Sequence, residues 1–227
     1  MPATFVKLNN RTLRERIAQE IRQAILKGRI RPGERLVERS LSEQFGASLT
    51  SVREALIELE SDGFVTKEPN SSTTVTQMSH KQVEDLLEMR GVLEGMAAER
   101  AAQNASEDQI ARLERLFEQR LNAVRAGDVA LFIQLDYTWH QTIWQACPNR
   151  AVEESLENLV QRFFAFSTIC LVSNEDYDAL QDAMAELPIL DAIKARDPEA
   201  ARRAFLTVSR QWIQTARAMM FRELPPR

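Results

Sequence analysis

Apolar residues recur every four positions near the start of the chain, at Leu13, Ile17, Ile21 and Ile25. A spacing of four places these side chains on one face of an α-helix, so the pattern predicts an amphipathic helix over residues 10–27. Gly28 is of the residue type that commonly ends a helix. The chain therefore opens with a helix that has one face to bury.

Two shorter apolar stripes follow this helix, and Gly46 separates them. Their positions are Leu36, Leu41 and Phe45 in the first stripe and Val52, Leu56 and Leu59 in the second. Ser48 precedes the second stripe, where its side chain can cap a helix, and Gly63 follows it. Two short helices joined by a glycine-containing turn predict a helix-turn-helix. Such a motif presents the start of its second helix to the major groove of DNA, here Ser48, Leu49, Thr50, Ser51 and Arg53.

Two runs of β-forming residues come next, at 64–66 and 73–76, with a polar turn between them. They predict the two-stranded wing of a winged helix-turn-helix. Ser71 and Ser72 lie at the tip of this wing, where we expect them to contact DNA.

From Ser79 onward the pattern is helical throughout. Ser79 and Gln82 have the spacing of a capping box, which marks the start of a helix. We therefore place a domain boundary here: residues 1–78 form the winged helix-turn-helix, and residues 79–227 form an all-helical bundle. Helices are predicted over residues 80–103, 106–127, 129–146, 150–172, 186–195 and 198–221. The expected fold class is mainly α.

Three motifs of the first domain resemble the DNA-binding domain of the GntR family of bacterial regulators. They are PGERL at residues 32–36, SVREAL at residues 51–56, and the exit formed by Leu59, Gly63 and Val65. The resemblance implies that Arg35 contacts DNA, as the matching arginine does in that family.

The same resemblance exposes two departures. Leu49 stands where the family usually has an arginine that reads guanine, and a leucine cannot make that bidentate contact. Ser71 and Ser72 stand where the wing tip usually has a basic residue followed by glycine. Either the operator differs at these positions or specific DNA binding is weaker.

The helical domain resembles the FadR C-terminal ligand-binding domain. The matching residues are Arg90 with Glu94, Asp136 with His140, the turn at Asn149, and AIKARDPEAA at residues 192–201. The resemblance implies a domain that binds an effector and dimerises.

Asp136 and His140 are four residues apart, so they share one helix face and could bind one ion. In the metal-binding members that this chain resembles, two further histidines complete the site; the matching positions here are Leu187 and Val208, which cannot bind metal. Two ligands rarely hold a divalent ion. We therefore expect no metal cofactor. Asp136 and His140 would instead hydrogen-bond each other, or an effector anion would take the place of the ion.

Arg90 is predicted to face inward, where an unpaired charge is costly. It either forms a salt bridge with Glu94 or Asp136, or receives the carboxylate of a ligand. Arg162, which lies among phenylalanines, is a weaker candidate of the same kind. The expected effector contacts are therefore Arg90, Asp136, His140 and Arg162.

Composition is that of a soluble globular protein, with 44% apolar and 27% charged residues among 227. We see no apolar run long enough for a membrane span and no secretion signal, so we expect a cytoplasmic location with Cys147 and Cys170 as reduced thiols. Net charge is −4, yet residues 1–78 carry 12 basic and 10 acidic side chains. A slightly basic head on an acidic body fits DNA binding by one domain.

The sequence thus predicts a transcriptional regulator, acting as a repressor, that binds a palindromic operator as a homodimer and senses a small organic acid. One competing interpretation is a sensor or interaction protein with weakened specific DNA binding. The other is a metal-dependent enzyme using Asp136 and His140, which lack an accompanying nucleophile or complete ligand set.

Overall fold

The computed structural model describes residues 12–67, 72–172 and 174–221, apart from the side chain of Arg217. The chain divides into two compact units, Met1–Thr76 and Gln77–Arg227.

The first unit contains three helices and a small antiparallel sheet. In chain order its elements are α1 (Leu13–Leu26), β1 (Arg35–Leu36), α2 (Glu38–Phe45), α3 (Leu49–Ser61), β2 (Val65–Lys67) and β3 (Thr73–Val75). The sheet order is β1-β3-β2, with Thr74 paired to Thr66 on one side and to Arg35 on the other. The predicted helix-turn-helix and wing are confirmed, since α2, α3 and the β2–β3 pair form them.

Strand β1 is an element that the sequence did not predict. It is two residues long, too short to show the alternation that identifies a strand. It adds a third strand to the wing, and Arg35 is the first residue of that strand.

Local signals position the start of α3. Gly46 adopts φ 60°, a left-handed conformation that favours glycine, and so ends α2. The hydroxyl of Ser48 then accepts a hydrogen bond from the backbone nitrogen of Ser51. The apolar face of α3 is buried within the unit, with Val52 and Leu59 fully enclosed.

Helices alone make up the second unit, as far as the structure describes it. They are α4 (His80–Asn104), α5 (Glu107–Arg125), α6 (Val129–Ala146), α7 (Arg150–Leu171), α8 (Ala179–Ala185), α9 (Leu187–Lys194) and α10 (Pro198–Met220). Helix α4 is central, packing against α6, α7, α9 and α10. A capping box at Ser79 starts α4, as predicted, and another at Ser106 starts α5.

Helix α8 corrects the prediction of one helix between residues 172 and 197. The structure forms α8 before α9, capped by Asp178, whose side chain accepts from the backbone nitrogen of Gln181. Two of its seven residues, Leu180 and Met184, are large apolar side chains that stay exposed. Its buried face is formed by the small residues Ala179 and Ala183, so its large apolar residues do not mark that face. Among the described residues, none of the helices combines the length and apolar character needed to cross a membrane.

Candidate functional site

The first candidate surface is the N-terminal end of α3. Ser48, Leu49, Thr50 and Arg53 are all exposed there, and Ser51 is half-buried. A helix start offers free backbone N–H groups and a favourable dipole to phosphate, whatever side chains it carries. The residues predicted to face DNA therefore share one accessible end of the helix.

Glu38 of α2 forms a salt bridge with Arg53, the basic residue of this surface. Oε2 of Glu38 lies 2.6 Å from Nε of Arg53, and its Oε1 lies 3.7 Å from Nζ of Lys67. Glu38 and Lys67 were missed by sequence analysis, because the three residues meet only when the wing folds beside the helices. Arg35 is exposed and Ser72 is half-buried. Ser71, predicted to contact DNA, lies outside the described residues.

The second candidate site is a buried cavity in the helical unit. Helices α4, α6, α7 and α10 supply most of its wall, and the enclosed volume is about 30 Å³. Polar groups on the wall include Arg90, Asp136, His140, Ser167 and Glu186. Phenylalanine rings complete it, among them Phe163, Phe164 and Phe205.

Charged side chains surround His140, which is itself 1% exposed. Its Nδ1 lies 3.1 Å from Oε1 of Glu94, and its Nε2 lies 3.1 Å from Oε1 of Glu186 and 3.8 Å from Oδ2 of Asp136. Arg90 donates from Nε to Oε2 of Glu94 at 2.5 Å. The predicted pair of Asp136 and His140 is therefore part of a larger cluster.

Nε2 of His140 is also 2.9 Å from Nη2 of Arg90. The Arg90 contact would need a lone pair on Nε2, whereas the Glu186 contact needs a proton. Burial lowers the pKa of His140, but the surrounding carboxylates, Glu94 foremost, raise that pKa to about 9. At neutral pH the ring is therefore an imidazolium that donates to Glu186, and Glu94 holds Arg90 beside it.

Arg120 on α5 contacts the carboxylates of the cluster without lining the cavity. Its Nη2 hydrogen-bonds Glu186 and lies 2.5 Å from Oδ1 of Asp136. Its guanidinium carbon lies 5.0 Å from the ring of Trp139 and 5.4 Å from that of Phe132. Arg120 is thus buried between two carboxylates and two aromatic faces, while its Nε and Nη1 have no hydrogen-bond partner among the described residues.

The carboxylates respond to these neighbours in different ways. Burial raises the pKa of Asp136 to about 6, against the opposing charge of Arg120. Burial acts in the same direction on Glu186, but Arg120 and His140 outweigh it and lower that pKa below its ordinary range. Burial, Glu186 and Asp136 together raise the pKa of Asp182 to about 7.

A wider groove adjoins the cavity. It runs between α8 and α10 and has a volume of about 490 Å³. Tyr177, Asp182, Val208 and Trp212 line both spaces. Asp182 accepts a hydrogen bond from Tyr177 at 2.6 Å and another from Nε1 of Trp212 at 2.5 Å. These three hydrogen-bonded side chains line both the groove and the cavity.

Each of the two candidate sites lies in a segment that matches a known protein family. Residues 13–75 match the bacterial regulatory proteins of the gntR family, and residues 85–210 match the FCD domain. The chain belongs to the GntR family, in its FCD-containing branch. It is a DNA-binding transcriptional regulator rather than an enzyme.

Relatives of this GntR-family chain match it over nearly its full length. It is 26% identical over 211 residues to the transcriptional regulator McbR of Escherichia coli, covering 93% of this chain and 95% of McbR. It is 28% identical over 194 residues to the transcriptional repressor RspR of the same organism, covering 84% and 82%. The solved structure of E. coli McbR/YncC superposes with a TM-score of 0.69 at 25% identity, covering 92% of this chain and 99% of that one.

Among the described residues of the FCD domain, Asp136, His140 and Glu186 form one group that could hold a metal ion. Their ligand atoms all lie within 4.8 Å of one another. The donor set fits a divalent ion, but its surroundings do not. Arg120 contacts both carboxylates, and Arg90 lies against Nε2 of His140. The guanidinium of Arg120 thus stands between the two carboxylates that an ion would need.

Three of the four predicted effector residues line the cavity, and the fourth does not. Arg90, Asp136 and His140 line it, as does Val208, while Leu187 is half-buried on α9. Arg162 does not belong there: it is exposed on α7 and absent from the described lining. Its neighbour Phe163 points inward instead, so residue 162 falls on the outer helix face.

Sequence analysis missed Arg120 and Glu186. Arg120 carried a readable signal, because it continues the apolar stripe of α5 at helical spacing from Leu113 and Leu116. A charged residue at a core position needs a partner. Glu186 carried no comparable signal, since it lies at the junction of two short helices.

Proposed function

We propose that this regulator represses transcription by binding a palindromic operator as a homodimer, and that a small organic acid in the cavity releases it. The observation that supports the effector is the position of Arg90 and His140 on the wall of an aromatic-lined cavity, with Arg120 paired to the carboxylates behind them. Buried cations of this kind are suited to a ligand carboxylate. The relative RspR is itself described as a repressor.

The dimer follows from the size of the DNA-binding unit. One recognition helix of this kind contacts a half-site, and two-fold proteins meet palindromic operators about one turn apart. Leu49, 45% exposed at the start of α3, fits a half-site that presents a thymine methyl rather than a guanine edge.

The cavity's small size supports a coupling between effector and DNA. Its volume of about 30 Å³ is far below the several hundred Å³ typical of ligand pockets, so an organic acid cannot enter without moving the walls. A ligand shifts an equilibrium only when it binds two arrangements differently. A cavity that must open to accept its ligand meets that condition.

Fluorescence anisotropy on DNA from the gene's own upstream region tests the DNA step. We expect a specificity ratio of about 10³ or more over a scrambled duplex. Equal, steeply salt-dependent binding to both duplexes would reflect phosphate contacts alone and would favour the sensor or interaction protein with weakened specificity.

The effector step needs a paired comparison. A screen of organic acids should find one that releases the operator from the wild type but not from Arg90→Met. Arg162→Met is the matched control, because it removes the same charge from the exposed face of α7. Equal effector response in both variants would place the ligand elsewhere.

A further inference from the structure

We propose that Arg120 is a built-in replacement for a metal ion, and that its guanidinium occupies a three-ligand site which becomes competent for a divalent cation when Arg120 is removed. The site consists of Asp136, His140 and Glu186, whose ligand atoms lie within 4.8 Å of one another. Three such protein ligands are the number that open zinc sites use.

Geometry favours the guanidinium over an ion. Nη2 of Arg120 lies 2.5 Å from Oδ1 of Asp136 and also hydrogen-bonds Glu186. One nitrogen thus bridges two of the three ligands, which is where a cation shared by them would sit. Charge-assisted contacts to two carboxylates are among the strongest that a protein makes.

Arg120 cannot easily leave this position. Its side chain is 1% exposed. The rings of Phe117, Phe132 and Trp139 lie within 5.8 Å of its guanidinium carbon. Nε and Nη1 of Arg120 have no hydrogen-bond partner among the described residues, so they face these rings rather than solvent. A divalent ion would therefore have to displace a cation that has no alternative site nearby.

Charge balance leads to the same conclusion. The cluster contains the carboxylates of Glu94, Asp136 and Glu186 and the guanidinium groups of Arg90 and Arg120. With His140 neutral, as a metal ligand must be, a divalent ion would leave one uncompensated positive charge in a buried place. Without Arg120 the same ion would make the cluster neutral. Burying an unbalanced charge is costly, so Arg120 and a metal ion exclude each other.

Zinc uptake by the full chain tests this inference. After treatment with a chelator, the wild type should take up less than about 0.1 equivalent of Zn²⁺ per chain in competition with a chromophoric chelator. Arg120→Met should take up about one equivalent, with a Kd at least about 100-fold lower than any wild-type value, and zinc should raise its Tm.

A double variant tests whether His140 is a zinc ligand. Arg120→Met combined with His140→Ala should lose the gained zinc, which separates this site from the thiols of Cys147 and Cys170. Arg120→Gln provides the measurement if the methionine variant does not fold. About one equivalent of zinc on the wild type that His140→Ala abolishes would overturn the inference, as would a folded variant at Arg120 that takes up none. The assay contains no DNA or effector, so its result is independent of the proposed function.

Discussion

Nε1 of Trp144 donates a 2.9 Å hydrogen bond to Oε1 of Glu94, and both side chains are fully buried. Glu94 also receives Arg90 and faces His140, so Trp144 stabilises the carboxylate around which the cavity cluster forms. We expect Trp144→Phe to lower the free energy of unfolding by about 1.5–3 kcal/mol beyond the lost ring volume, because it removes a donor to a buried charge. Urea denaturation measures the change.

The chain supplies a matched control. Trp139 is equally buried on the same helix, but its Nε1 has no hydrogen-bond partner among the described residues. Trp139→Phe removes a similar volume and keeps a ring beside Arg120. If the two variants lose the same stability, the bond to Glu94 contributes nothing of its own.

Arg120 should contribute more to stability than any surface ion pair. Arg120→Met leaves the half-buried Asp136 and the buried Glu186 without their shared cation, and breaking a buried pair in this way costs about 3–5 kcal/mol. Arg150→Met is the comparison, since Nε of Arg150 lies 2.6 Å from Glu154 but both side chains are exposed. Exposed pairs contribute about 0–1 kcal/mol. Similar losses in metal-free buffer would show that Arg120 is solvated after all.

Stability should fall as the pH rises from mildly acidic to mildly basic values. The pKa of Asp182 is raised from 3.8 to about 7 in the folded protein, mainly by burial and then by Glu186 and Asp136. The folded state therefore binds a proton that the unfolded state has already released, and this contribution is lost as the pH passes about 7. Asp136, with a pKa of about 6, acts in the same direction.

The expected loss from Asp182 is about 2 kcal/mol between about pH 5 and about pH 8. Urea denaturation at several pH values would measure it. Asp182→Asn resembles the protonated form and should flatten the profile over this range. An unchanged pH dependence in that variant would assign the effect to other groups.

We expect the native Glu38 carboxylate to weaken non-specific DNA binding, so that its removal tightens binding. It pairs with Arg53 and lies near Lys67, so Glu38→Gln frees two cations beside the recognition helix. Each additional phosphate contact steepens the dependence of log K on log salt by about 0.9. We expect tighter binding to a scrambled duplex at low salt and a slope that is steeper by about 1–2.

Glu20→Gln is the control for this change, because it removes the same charge from an exposed position on α1. Anisotropy across a salt series compares the two variants. A slope that increases equally in both would reflect net charge rather than the release of Arg53.

Local signals made the DNA-binding unit predictable. Gly46, the Ser48 cap and the apolar stripe of α3 each act within a few residues, so their effects could be read from the sequence. The unpredicted elements, β1 and α8, are two and seven residues long. Elements of that length depend on their neighbours more than on their own pattern.

The cavity was predictable only along single helices. Arg90 with Glu94 and Asp136 with His140 are four residues apart, and all four meet in the cluster. Arg120 lies on α5 and Glu186 at the junction of α8 and α9, 66 residues apart in the chain. Their meeting depends on how α5 and α9 pack, which the sequence pattern does not specify. The inward orientation expected of Arg162 is wrong, because the face of α7 was assigned from its phenylalanines alone.

Asp182 lines both the outer groove and the cavity, held by Tyr177 on one oxygen and Trp212 on the other. If the proposed effector enters through the groove, it would meet these two hydrogen bonds before it met Arg90. Its arrival would then be governed by how often they break. The association rate would level off at high ligand concentration, and such a regulator would respond to a sustained supply of ligand rather than to a brief pulse.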